Sequence, residues 1–72
     1  MSNHYRKGQK VRWSWGTGIG HGHVVERFDR RVQRTIEGTP IVRRGTPENP
    51  AYLVATEDGR TALKRGSELQ PG

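Results

Sequence analysis

Val11, Trp13 and Trp15 alternate with Lys10, Arg12 and Ser14, and this two-residue period constrains the chain more than any other feature. Side chains two apart share a face of an extended strand but not of a helix. Three apolar groups on one side and three polar groups on the other therefore predict a half-buried strand. Gly8 marks the turn into it. No ten-residue stretch carries the helical period, so the fold must be built from strands.

Gly16-Thr17-Gly18-Ile19-Gly20-His21-Gly22 reads as a loop, because glycine at every second place frees the backbone. His23 to Phe28 reads as a second strand with a broken phase, since Val24 and Phe28 share a face with Glu26. A β-bulge near Glu26 resolves the conflict by shifting the phase once. Residues 29–50 form a long excursion. In it, Val32, Arg34 and Ile36 alternate with Gln33 and Thr35, Glu37 to Pro40 turns, and Ile41 to Arg43 returns as a short, mobile, Arg-rich ribbon. Arg44 to Pro50 reads as a rigid loop, because each proline fixes its own φ and restricts the residue before it.

Ala51 to Thr56 is the clearest central strand, and Arg60 to Lys64 returns from it. Asp58-Gly59 between them suits a two-residue type I′ turn. Gly66 to Leu69 suits one 3₁₀ turn before Pro71 ends the structure. Short strands joined by tight turns predict an all-β chain folded as a small barrel. It is one domain over 1–72, with flexible ends at 1–6 and 70–72.

A chain of 72 residues buries only about 60% of its unfolded surface, so its core has little to spare. The absence of cysteine removes disulfides, zinc thiolates and a thiol nucleophile together. A hydrophobic content of 29% leans toward disorder, but the apolar residues cluster in alternating runs and include two tryptophans. A folded domain is the expectation. No apolar run approaches the ~18 residues of a membrane helix. The first residues lack the apolar centre of a secretory signal, so the expected location is the cytoplasm, away from membranes.

The net charge is +6, carried by ten arginines against three lysines. Guanidinium suits bidentate recognition of phosphate or carboxylate. The charge also attracts polyanions whatever the fold.

Several segments carry a resemblance. They are Lys7-Gly8-x-Lys10-Val11-x-Trp13-x-Trp15-Gly16, Gly22-His23-Val24-Val25-Glu26 and Arg34-Thr35-Ile36-x-Gly38. The run Gly45-Thr46-Pro47-Glu48-Asn49-Pro50-Ala51-Tyr52-Leu53 is the most specific, with Leu63-Lys64 and Ser67-Glu68-Leu69 closing the match. Together they resemble the hypervirulence-associated protein Tudor domain family over nearly the whole length. The resemblance implies an SH3-like, Tudor-like barrel of about five short antiparallel strands. Arg27 stands where an apolar residue is expected. Tudor domains elsewhere bind methylated lysine or arginine in an aromatic cage, or bind nucleic acid, but fold alone transfers neither activity.

Tyr5, Trp13, Trp15, Phe28 and Tyr52 are the aromatics from which a cage for a cation would be drawn. Trp13, in mid-strand, is expected in the core; Trp15, Tyr52 and Phe28 are the candidate aromatic rim. Arg12, Arg30, Arg31, Arg34, Arg43 and Arg44 are the candidate contacts to an anion or nucleic acid. The glycine run matches neither a dinucleotide fingerprint nor a P-loop, since His21 or His23 falls where the third glycine belongs. His21 and His23 lack the partners of a four-ligand metal site. No serine, histidine and carboxylate pattern supports a nucleophile, so no catalytic residue, metal or cofactor is assigned and the chain is not read as an enzyme.

The expected function is a binding module that recruits a protein or peptide through the rim around Trp15, residues 16–22 and Tyr52. RNA or single-stranded DNA on the arginine surface is the alternative, and an accessory protein without a discrete ligand is a third reading. A monomer is favoured.

Overall fold

The computed structural model describes residues 3–72. Seven strands follow one another: β1 Lys10–Trp15, β2 Gly18–Phe28, β3 Arg31–Ile36, β4 Thr39–Arg44, β5 Ala51–Thr56, β6 Thr61–Arg65 and β7 Leu69–Pro71. A 3₁₀ turn, Gly66–Glu68, joins the last two. Five strands form one sheet in the order β6-β5-β2-β1-β7, and β3 and β4 form a separate two-stranded ribbon. Every pairing is antiparallel. The chain is thus all-β, as expected, but with seven strands in two sheets instead of about five. Its edge strands β6 and β7 do not pair, so the hydrogen-bonded ladder stays open rather than closing into a barrel.

The glycine run is not a loop. Only Gly16 and Thr17 turn, and β2 starts at Gly18, with Trp15 opposite Gly18, Trp13 opposite Gly20 and Val11 opposite Gly22. The alternate glycines therefore line one face of a strand. A Cβ on Gly20 would lie 2.6 Å from the Trp13 indole, and one on Gly22 would lie 2.1 Å from the Ala55 carbonyl oxygen. That face is bare because the indole and β5 occupy the space side chains would take.

The expected bulge is present. Val24 pairs with Val54 and Glu26 with Leu53, leaving Val25 as the extra residue. Val24 and Phe28 would share a face in an unbroken strand. The bulge sends them to opposite sides: Val24 packs with Val11, Trp13, Tyr52, Val54 and Leu69, whereas Phe28 packs with Val32, Ala51 and Leu63.

β5 separates these two small cores. Tyr52 and Val54 face the first, while Ala51 and Leu53 face the second. The β3–β4 ribbon covers the second, inserting Val32 and packing Ile36 and Ile41 against it. Its outer face, Arg31, Gln33, Thr35, Pro40, Val42 and Arg44, is exposed.

The β5–β6 connection also departs from expectation. Asp58 is not at positive φ, whereas Gly59 is, at 89°. The Gly59 amide donates to the Thr56 carbonyl at 3.2 Å, and the Thr56 amide donates to the Arg60 carbonyl at 2.7 Å. This is a three-residue loop closing through a left-handed glycine, not a two-residue type I′ turn. The Thr56 hydroxyl and the Asp58 carboxylate bond across the loop, and that partnership favours the longer connection.

The C-terminal segment expected to be flexible forms β7, paired with β1, and the Gly72 amide donates to the Lys10 carbonyl at 3.0 Å. At the other end, the Tyr5 amide donates to the Tyr52 hydroxyl at 2.9 Å. The Arg6 amide donates to the Gln9 side chain at 2.9 Å. Residues 1 and 2 of that end lie outside the described residues.

Candidate binding cleft and arginine surface

The tips of three hairpins converge on one cleft of about 500 Å³. The β1–β2 tip brings Trp15 and Ile19, the β3–β4 tip brings Glu37, and the β5–β6 loop brings Glu57 and Asp58. Trp13 also reaches the lining, although the residue itself is buried. Trp15 is 62% exposed and Ile19 59%, the two most exposed large apolar residues among those described. Trp15 stays out of the core because β1 outruns its cover: it pairs with Gly18 at the end of the ladder, beside the turn. The sequence grouped Trp15 with Val11 and Trp13 on one face, and the face is right, but the core ends at Trp13.

Three of the seven carboxylates of this basic chain line this cleft. Asp58 is paired with Arg60 at 3.6 Å, while Glu37 and Glu57 form no ion pair among the described residues. The Thr56 hydroxyl donates to the Asp58 carboxylate and holds its pKa below the usual carboxylate value, and the Arg60 amide and charge act in the same direction. Lys64 and Arg60 also line the cleft, so it is mixed in charge instead of uniformly acidic. Glu37 sits at φ 51°, followed by Gly38 at 79°, and is the one non-glycine residue at positive φ among those described. A backbone held there costs a non-glycine residue about 1–2 kcal/mol, and the tight turn fixes the carboxylate on the cleft wall.

The other two rim candidates are not on the rim. Tyr52 is 0% exposed and Phe28 1%, and they lie in different cores on opposite sides of β5. Tyr52 acts as a lock. Besides accepting from the Tyr5 amide, its hydroxyl donates to the Asn3 carbonyl at 3.3 Å. The Tyr5 ring meets it edge-on at 5.8 Å, and the Tyr5 hydroxyl donates to the Leu69 carbonyl at 3.0 Å. Burial pushes the Tyr5 pKa up, and neighbouring Tyr52 adds to the effect. A cage drawn from all five aromatics is therefore not assembled.

Phe28 instead anchors arginines. The guanidinium carbons of Arg34 and Arg30 lie 4.8 and 5.5 Å from its ring centroid. Arg31 and Arg44 stand directly opposite each other on the outer face of the ribbon. Arg43 points to the inner face and pairs with Glu68 at 3.5 Å. Arg12 lies apart on β1, opposite His21 and Gln70. Five of the six candidate arginines thus share one ribbon and its base, and the sixth does not join them.

The most specific sequence run also has a structural reading. Asn49 donates from its side chain to the Ser67 hydroxyl at 3.0 Å and accepts from the Ser67 amide at 2.9 Å. The Gly66 amide donates to the Pro50 carbonyl at 2.8 Å. These bonds clamp the β4–β5 loop to the 3₁₀ turn.

The family model for the hypervirulence associated proteins TUDOR domain matches residues 8–69. The chain belongs to this family. The match runs from the turn before β1 to the first residue of β7, so this Tudor domain includes both cores, the ribbon and all three hairpin tips. No curated protein and no solved structure matches the chain. Ile19, Glu37 and Glu57 were not singled out from the sequence of this Tudor domain. The alternate glycines facing Val11, Trp13 and Trp15 carried part of the missed signal, because reading them as strand pairs Ile19 with Ser14 and so places it at the tip of the β1–β2 hairpin. Among the described residues, no helix is long and apolar enough to cross a membrane.

Proposed function

We propose that this Tudor domain is a non-catalytic, cytoplasmic binding module that recruits a protein or peptide partner through the cleft at Trp15. One observation carries the reading: a tryptophan 62% exposed and an isoleucine 59% exposed line one cleft, together with two carboxylates that form no ion pair among the described residues. A small domain with so few apolar residues gains nothing in stability from leaving its second tryptophan in water, whereas burial of an indole by a partner is strongly favourable. The partner segment that suits this lining presents an apolar side chain to Trp15 and Ile19 and a lysine or arginine beside it. A cation over the indole face contributes about 0.5–2 kcal/mol, and Glu37 and Glu57 add attraction of the same sign.

The test is an NMR titration with short peptides that pair an aliphatic residue with lysine or arginine, read on the amides of Trp15, Ile19, Glu37 and Glu57. Shifts should concentrate at the three hairpin tips and vanish in Trp15→Ala. Shifts that are uniform, or that survive loss of the indole, count against the cleft.

A further inference from the structure

We propose that the outer face of the β3–β4 ribbon is a second site, which holds the phosphodiester backbone of a nucleic acid between Arg31 and Arg44. These two residues are cross-strand partners on the exposed face. Like charges directly opposite in a sheet repel, so the arrangement weakens the ribbon unless an anion sits on it. Neither side chain forms an ion pair among the described residues: the three ion pairs there engage Arg43, Arg60 and Arg65. The two Cα atoms of such a pair lie about 4.5–5.5 Å apart, which lets two planar guanidinium forks grip one phosphate from both sides.

The surroundings favour the same ligand. The Gly45 amide donates to the Arg30 carbonyl at 3.1 Å, closing the ribbon base and bringing Arg30 beside the pair. Arg30 leans on the Phe28 ring at 5.5 Å, as inner-face Arg34 does, so it adds positive charge at this end without facing the pair. Asp29 is exposed beside it and forms no ion pair among the described residues, while Glu68, the carboxylate that reaches the ribbon through Arg43, is engaged on the inner face. Further along the outer face, Gln33 and Thr35 supply polar groups, and Val42, 40% exposed, supplies an apolar contact for a sugar or base. The cleft carboxylate Glu37 stands at the far tip of the ribbon, just past Ile36, which ends β3 roughly 17 Å along the strand from Arg31. The two sites are therefore separate, the cleft mixed in charge and the outer face of the ribbon cationic. Phosphate is favoured over carboxylate ligands because the pair offers two bidentate forks to a single tetrahedral group.

The experiment measures binding of a fluorescent twelve-nucleotide oligothymidylate, the same length of duplex DNA, and polyglutamate of matched charge, across a salt series. Oligonucleotide binding should weaken with rising salt, and the combined substitution Arg31→Ala and Arg44→Ala should weaken it by about tenfold or more. The slope of log K against log salt should fall by about 1.4 for two lost single-strand contacts. A control that removes the same charge elsewhere, Lys7→Ala with Lys10→Ala, should have a much smaller effect. The arginine variant should melt no lower than the parent, since it relieves a repulsion, and this separates lost contacts from lost folding. Preference for the single strand or for the duplex identifies the source of the phosphates, and either supports the site. Equal losses in both double variants, equal binding of polyglutamate, or no oligonucleotide binding at low salt would overturn it.

Discussion

Gly20 lies directly across from Trp13, and the place of its missing side chain is filled by the indole ring, 2.6 Å from where a Cβ would stand. Gly20→Ala should therefore destabilise the domain by about 1–3 kcal/mol, as overpacking does elsewhere. Gly18→Ala, whose Cβ would meet the Trp15 carbonyl oxygen at 3.8 Å, an ordinary contact, should be tolerated. Thermal melting of the two variants checks this. Equal melting temperatures would mean that the indole can move aside at no cost.

The two tryptophans should behave in opposite ways. Loss of the buried Trp13 costs about 3–5 kcal/mol, comparable to the whole margin of a domain this small, so Trp13→Ala should be unfolded at room temperature. Trp15→Ala should stay within about 0.5 kcal/mol of the parent and lose only ligand binding. Circular dichroism melts separate the outcomes, and a folded Trp13→Ala variant would contradict the core described above.

Tyr52→Phe isolates the lock from the ring. The phenyl still fills the core, but the Tyr5 amide loses its acceptor and the Asn3 carbonyl loses its donor. The expected cost is about 1–2 kcal/mol, with faster amide exchange over residues 3–6. Cleft binding should be unaffected, because Tyr52 is not exposed there. A change in ligand affinity without a change in stability would return Tyr52 to the rim.

Asp58 should titrate below an ordinary aspartate. Its folded pKa is depressed, first by the Thr56 hydroxyl. Its contribution to stability is therefore complete above the unfolded value of about 3.9 and fades as pH falls through the lower folded value. Thr56→Val removes the donor and should move the carboxyl back upward. Carbon-detected NMR titration measures both, and an unshifted Asp58 in the parent would show that the bond does not persist in solution.

Glu37 pairs function with strain. Asparagine tolerates the left-handed region better than glutamate, so Glu37→Asn should raise stability by roughly 0.5–1 kcal/mol. The same change removes a carboxylate from the cleft wall and should weaken binding of a basic peptide. Melting and peptide titration of one variant read both effects. A variant that is less stable than the parent would indicate that Glu37 is not strained at this turn.

Period and turn chemistry made much of this fold legible. The Lys10–Trp15 alternation, the Ala51–Thr56 strand and the conflict that required a bulge near Glu26 all follow from side-chain direction alone. The first part of β2 was hidden because glycine supplies no period of its own. Its meaning lies in the partner strand, where Val11, Trp13 and Trp15 occupy the vacant side. Phe28 and Tyr52 were misplaced for a related reason: an aromatic near a strand end reads as rim unless a second core beyond the sheet is foreseen. That second core exists only because β5 is buried on both faces. Five of the six candidate arginines lie on the ribbon and its base, whereas the place of Arg12 follows from a pairing with β7 that a short C-terminal segment did not announce.

The extra residue at Val25 also fixes what changes of length the chain can survive. Deleting Val25 alone would leave an unbroken strand in which Val24 still opposes Val54 and Phe28 still opposes Ala51, so each keeps its own core. Deleting two residues between Val24 and Phe28 would instead turn the phenyl ring toward the Trp13 side and leave Arg30 and Arg34 without their platform. Homologous chains should therefore be able to lose the single extra member of this stretch, but not a second residue with it.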